Sequence, residues 1–170
     1  MEMPSAGYPL TWWILLELKR SGIELASLTH AAGLSAVGHE ELDDRFPMPE
    51  CFEIPERTAD AVENERRNER RVIAVGTTVV RALEGCASAL DGRVVAGRGE
   101  TDLVIDRSFR PAVVTGILTG VHDPAQSHFR LLHAFADETT LRRAWRHAVE
   151  TDYLCHEFGD SCLVRRSVQQ

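Results

Sequence analysis

The sequence predicts an α/β domain in which strands and helices interleave. Three observations predict it. An apolar strand, a glycine turn and an amphipathic helix follow one another between Val72 and Leu90. Strand-like and helical stretches alternate on either side of that unit, with no internal repeat. The 170 residues, 44% of them apolar, supply core for about one domain, which we place at residues 1–166 with a tail at 167–170.

Taken in order, Thr11 is placed to cap a helix over Trp12–Arg20, which stops at Ser21-Gly22 with Lys19 and Arg20 in its last turn. Ile23–Thr29 reads as a strand, and His30–Pro55 as a long loop, because it is rich in glycine, acid and proline and has little periodicity. Thr58 can cap a second helix through Arg71, whose four arginines and three glutamates from Glu63 onward read as a solvated face laced with ion pairs, or else as an RNA contact. Val72–Val75 is a short apolar strand, Gly76-Thr77-Thr78 the turn, and Val79–Leu90 a helix with Val79, Val80, Leu83, Ala87 and Leu90 near one side. Strands follow at Val94–Ala96, Thr101–Ile105 and Ala112–Leu118, then the loop Thr119–Pro124. Helices at Ser127–Ala136 and Thr140–Thr151, the turn Glu157–Asp160 and a last strand Ser161–Val164 complete the chain.

With 26 acidic against 19 basic side chains and a formal charge of -7, the surface is no general magnet for nucleic acid, and neither half carries a basic excess. The longest apolar run, Trp12–Leu16, is too short to cross a bilayer, and the start Met-Glu-Met-Pro lacks the pattern of a secretory signal. The expectation is a cytoplasmic protein without a membrane partner. Cys51, Cys86, Cys155 and Cys162 fall in no zinc-ligand spacing and are expected to be buried reduced thiols; no metal is expected.

Two places could carry chemistry. A helix beginning after Gly76 aims free N–H groups and the hydroxyls of Thr77 and Thr78 at whatever lies above the strand end, a geometry suited to a carboxylate or a ribose hydroxyl. The plainer alternative is that Thr77 or Thr78 caps the helix. His122 stands in a glycine-containing loop directly after an apolar strand, where α/β sheets keep reactive side chains, and Asp160 stands in a comparable loop or simply forms its turn. His128 and His133 read as packed or rim residues and His147 as surface. No Gly-x-Ser-x-Gly elbow occurs.

The stretch Arg71–Glu84, Arg-Val-Ile-Ala-Val-Gly-Thr-Thr-Val-Val-Arg-Ala-Leu-Glu, resembles the signature of the S-adenosylmethionine:tRNA ribosyltransferase-isomerases, the QueA enzymes of queuosine synthesis. Other segments resemble the family in the same order: Pro4-Ser5-Ala6-Gly7, Leu118–Pro124, Ala134-Phe135-Ala136 and Tyr153–Val164. The resemblance implies a QueA-like α/β domain without the family's inserted β-barrel. It also implies transfer and isomerisation of the ribosyl group of S-adenosylmethionine onto a 7-aminomethyl-deazaguanine base of tRNA. On that reading His122 transfers a proton. Gly76, Thr77, Thr78 and Arg81 hold cofactor or substrate oxygens, and Glu84, Glu50 and Asp160 orient groups or face a cation.

Some motifs depart from the family's pattern. Gly-Leu-His-Phe reads Gly7-Tyr8-Pro9-Leu10, Thr-Leu-His is matched at Thr29-His30 only with a slip of one place, and Asp-His-x-Met-His-x-Glu reads Asp44–Glu50 without either histidine. Family chains are about twice as long. This one is therefore expected to be a fragment or a half-size relative, working as a homo-oligomer or with a complementary chain, with Trp12-Trp13 as anchor or as core. The other options are a scaffold redirected to small-molecule chemistry and a non-catalytic subunit.

Overall fold

The computed structural model describes residues 5–32, 49–155 and 159–166. Pro4, most of the Asp44–Glu50 motif, His156, most of the turn before Gly159 and the tail 167–170 lie outside them.

A 3-10 turn, Ser5–Gly7, precedes helix α1 (Trp12–Arg20), strands β1 (Thr29–Ala31) and β2 (Glu50–Ile54), and helix α2 (Glu56–Arg67). Strand β3 (Ile73–Val75), helix α3 (Thr77–Ala89), strands β4 (Gly97–Thr101) and β5 (Gly116–Gly120), helices α4 (Ser127–Leu132) and α5 (Glu138–Glu150), and strand β6 (Ser161–Arg165) follow. The strands form two open sheets of three, ordered β1-β2-β4 and β3-β5-β6. The first is antiparallel throughout, with His30 opposite Phe52 and Glu50 opposite Thr101. In the second, β3 runs parallel to β5 with Val75 beside Leu118, and β6 returns antiparallel with Ser161 beside Gly120.

Helix α3 is the spine between the sheets. Its Val80, Ala82, Leu83, Cys86 and Ala87 are buried against Ile54, Ala74, Val114 and Ile117. The helix approaches β4 closely because residue 85 has no side chain: a Cβ there would overlap the side chain of Thr101. Glu84 on the same helix is fully buried. Its Oε2 accepts from the N–H of Ala112 at 2.9 Å, and its Oε1 from those of Val113 at 3.0 Å and Val114 at 2.7 Å. These bonds hold a bent stretch that joins no strand ladder among the described residues and deliver it to β5.

The α/β class agrees with the sequence reading, and several element boundaries differ. Ile23–Leu28 joins no strand ladder among the described residues, and Ile23 and Leu25 are exposed. The expected long loop contains β2, whose Glu50, Phe52 and Ile54 face inward and whose Cys51 and Glu53 face outward. Helix α2 begins at Glu56 rather than Thr58, because Pro55 occupies the cap position while the Thr58 hydroxyl donates to the Ser27 carbonyl at 2.6 Å. Ala112–Val114 is bonded to Glu84 instead of a ladder, so β5 starts later than expected. Of the cysteines, Cys86 is buried, but Cys51 and Cys155 are exposed.

The arginine-rich end of α2 is a face of ion pairs, Arg66–Glu63 at 2.6 Å and Arg70–Glu65 at 3.1 Å. Helix α1 buries no residue: Trp12 is 82% and Trp13 69% exposed, so the tryptophans are not core. No helix among the described residues is long and apolar enough to cross a membrane.

The Glu84 clamp gives a stability test. Glu84→Gln keeps the shape but sets an NH2 group against the Ala112 N–H, and should lower unfolding free energy by about 2 kcal/mol. Glu84→Ala, which abandons three buried N–H groups and leaves a cavity, should lower it by about 4 kcal/mol. Urea midpoints read both, and a wild-type midpoint in either variant would refute the clamp.

Candidate functional site

Strands β3 and β5 are parallel neighbours, so both deliver their following residues to one sheet edge. Gly76 is the cap residue of α3, with φ 93° and ψ 154°, a conformation glycine adopts far more readily than other residues. Its N–H donates to the Leu118 carbonyl at 2.9 Å, which carries the parallel pairing one residue past β3. No side chain caps the helix, so neither Thr77 nor Thr78 takes the capping role; both are half-buried in the first turn.

His122 follows β5 at the same edge. Its Nε2 lies 2.8 Å from the hydroxyl of buried Thr119, and its ring stacks on His128 of α4 at 5.0 Å and 17°. Because β6 is antiparallel to β5, its first residue, Ser161, pairs with Gly120 and brings Asp160 to this edge too. Asp160 Oδ2 accepts from Leu154 N–H at 2.8 Å, and its own N–H donates to the Leu154 carbonyl at 2.8 Å, so it also forms its turn as expected.

A cleft of about 480 Å³ opens beside His122, between β6 and α5, with Phe129, Leu132, Trp145 and Tyr153 among its walls. Its size and its largely apolar lining suit a small organic ligand. Thr77, Thr78 and Arg81 are not among its walls. A more open hollow on the outer side of α2, bounded by Glu24, Glu56, Arg57 and Asp60, contains none of the expected site residues.

One turn beyond Thr77, Arg81 enters a buried polar cluster. Its Nη1 donates to Glu50 Oε2, and its Nε donates to the Leu103 carbonyl at 3.2 Å. The same Glu50 oxygen lies 3.4 Å from His30 Nε2. Side-chain exposures are 5% for His30, 8% for Glu50 and 14% for Arg81. Burial pushes the His30 imidazole below its ordinary 6.5; Glu50 opposes this and Arg81 adds to it.

The structure thus joins Glu50 to Arg81, sets them one turn below Gly76, Thr77 and Thr78, and carries His122 and Asp160 to the same edge of the neighbouring strands. Glu84, by contrast, faces the peptide groups of Ala112–Val114 and orients backbone rather than a ligand. His30 is the member that sequence reading did not select; the signal for it was the Thr29-His30 pair, which fits the family motif with a slip of one place. Among the described residues no three His, Cys, Asp or Glu side chains gather as a metal site would need.

Fold and site define an α/β domain whose polar and titratable groups collect at the carboxyl ends of a parallel strand pair. The family model described as "Queuosine biosynthesis protein" matches residues 1–164, and the chain belongs to that family. It is 35% identical over 164 residues to the S-adenosylmethionine:tRNA ribosyltransferase-isomerase of Nitrosomonas europaea, which covers 95% of this chain and 46% of that protein. It is 38% identical over 166 residues to the enzyme of the same name from Sorangium cellulosum, covering 95% of this chain and 44% of that protein. The crystal structure of an S-adenosylmethionine tRNA ribosyltransferase from Thermotoga maritima matches with a TM-score of 0.76 and 29% identity, over 93% of this chain and 50% of that one. The chain spans about half the length of these relatives, and the family resemblance carried by its motifs is borne out.

The His30 shift has a sign that can be tested. The folded chain binds fewer protons at His30 than the unfolded chain, so this contribution is complete above pH 6.5 and is lost as pH falls below it. Between roughly pH 7.5 and pH 5.5 the urea midpoint of the wild type should fall further than that of His30→Asn. Parallel falls in the two proteins would show that His30 is not the responsible group.

Proposed function

We propose that this chain is an S-adenosylmethionine-using transferase and isomerase domain of the QueA type, acting on a tRNA base in queuosine-type modification. One observation carries the proposal: the parallel pairing of β3 with β5 sends Gly76–Thr78 and His122 to a single sheet edge, where His122, though not the threonine turn, borders a cleft of about 480 Å³. The chain's membership of the queuosine biosynthesis family supports it.

The roles follow from the chemistry of a sulfonium. Positive sulfur acidifies the adjacent 5′-carbon and makes methionine a good leaving group, so the protein has to supply chiefly a base, a ribose clamp and a dry pocket. His122, at the rim of the apolar cleft, accepts the proton. Thr77, Thr78 and Arg81 hold ligand oxygens, Glu50 orients Arg81, and Asp160 sets the turn facing His122. Residues 1–166 work as one unit in the cytoplasm, with S-adenosylmethionine and tRNA as substrates. A second chain, either another copy or a complementary half, completes the walls and seats on exposed Trp12 and Trp13.

A second reading rests on charge. With a net charge of -7 and no basic excess in either half, the scaffold is poorly suited to tracking phosphates, which favours a small-molecule acceptor. Tight, salt-sensitive retention of tRNA on filters excludes that reading.

Incubation with S-adenosylmethionine and a tRNA bearing 7-aminomethyl-deazaguanine, with the amino-terminal half of a relative supplied in trans, should release free adenine. His122→Ala should slow the release about 10²- to 10⁴-fold while leaving S-adenosylmethionine binding in place. No adenine from the wild type refutes the enzymatic reading, and equal rates in the two proteins remove His122 from it.

A further inference from the structure

Strand β6 is an outer strand of its sheet, and its far side carries a row of backbone groups. Two bonds fix which groups those are. The Arg166 N–H donates to the Thr115 carbonyl at 3.1 Å, so by the alternation of an antiparallel ladder Cys162 and Val164 also turn their peptide groups toward β5. Leu118, the partner of Leu163, gives its carbonyl to Gly76 on the other side of β5, which leaves the Leu118–Leu163 pair without cross-strand bonds. The peptide groups of Ser161, Leu163 and Arg165 therefore face outward, and no strand among the described residues lies beyond them.

The other outer strands are poor templates for pairing. Strands β1 and β3 have three residues each, and β4 holds two glycines and the charged Arg98 and Glu100. Strand β6 has five residues, no proline, and at its centre Leu163, which is 54% exposed. Tyr153, which lines the same cleft, and Leu154, bonded to Asp160, are exposed too. The cleft of about 480 Å³ touches every residue from Ser161 to Arg166, hence both faces of the strand, so it runs past the strand's edge toward α5.

From this juxtaposition of an open edge with an apolar cleft we infer that β6 takes a further strand, an extended segment with apolar side chains at alternate positions, supplied by the portion of the family fold that this chain does not match. The added main chain pairs with Ser161, Leu163 and Arg165. Its side chains opposite Cys162 and Val164 share the inward face of β6 and enter the cleft beside Leu141 and Trp145.

Two observations choose this occupant. The relatives are about twice as long, so the fold they share with this chain is joined in them to as much chain again. A second copy of β6 does not fit, because its Val164 is buried in its own core and its Cys162 packs against that core, so neither side chain can fill a neighbour's cleft. The inference deepens the proposed function and rests on its complementary half, to which it gives a contact apart from Trp12 and Trp13. The added strand closes the long side of the cleft and leaves His122 at its end.

Short synthetic peptides tiling the unmatched portion of the Sorangium cellulosum enzyme, titrated calorimetrically into the full chain, test the inference without requiring that portion to fold. At least one should bind. N-methylation of one alternate set of its amides should weaken it about tenfold or more, and N-methylation of the other set should leave it unchanged. Leu163→Pro removes an outward N–H at a place where an edge strand tolerates proline, and should weaken the same peptide about tenfold with its circular dichroism unchanged. The methylated peptides decide the matter even where that variant fails to fold. Binding by no peptide, equal losses from both methylation sets, or light scattering that shows a dimer lost in Leu163→Pro overturns the inference. The two readings fail separately. A strand bound in this way without adenine release refutes the function and spares the strand, whereas adenine release without peptide binding does the reverse.

Discussion

The carboxylate of Glu84 occupies the position on which the rest of the molecule depends. It sits at the middle of α3 and is fully buried, and it meets three successive peptide N–H groups that no strand pairs. Backbone entering a core must satisfy its donors, and here one side chain does for the bend at Ala112–Val114 what a ladder does elsewhere. The consequence extends beyond stability. The clamped segment runs directly into Thr115, whose N–H donates to the Val72 carbonyl at 2.9 Å and whose hydroxyl accepts from Val72 N–H at 3.0 Å. Strand β5 is thereby set in register between β3 and β6, and the sheet edge where Gly76, His122 and Asp160 meet inherits that register.

Close packing makes the arrangement specific. Gly85 lets α3 lie on Thr101 of β4, so the helix touches both sheets, and Gly76 accepts the backbone angles that start α3 immediately after β3. A side chain at 85 would lift the helix from the first sheet and carry Arg81 away from Glu50, which belongs to β2 of that sheet. The polar cluster is thus a product of two geometries: the parallel pair fixes the start of the helix, and the glycine contact fixes its distance from the antiparallel sheet.

The parts of this that were legible in the sequence are those in which residue type and position agree. Val72–Val75, Gly76 and the periodic helix after it mark a strand, a turn and a helix by apolar spacing alone, and His122 after an apolar strand marks a sheet edge. Strand β2 was not legible because its inward positions begin with Glu50, a residue that normally reads as exposed, and because prolines stand at both its ends. Pattern places Glu84 on the buried face of α3 but carries no sign that its partners are peptide groups 28 to 30 residues away. His30 was obscured for the same reason as Glu50, since its burial depends on contacts made across β1, β2 and α3 that no local spacing encodes.

The two histidines nearest the site stand in opposite environments. His122 stands at the rim of an apolar cleft, stacked on another imidazole and in hydrogen-bond range of a hydroxyl. His30 is enclosed between Glu50 and Arg81, and burial biases it toward the neutral form. That contrast follows from the fold itself: β5 ends in a loop open to the cleft, whereas β1 ends against the helix that begins at Gly76.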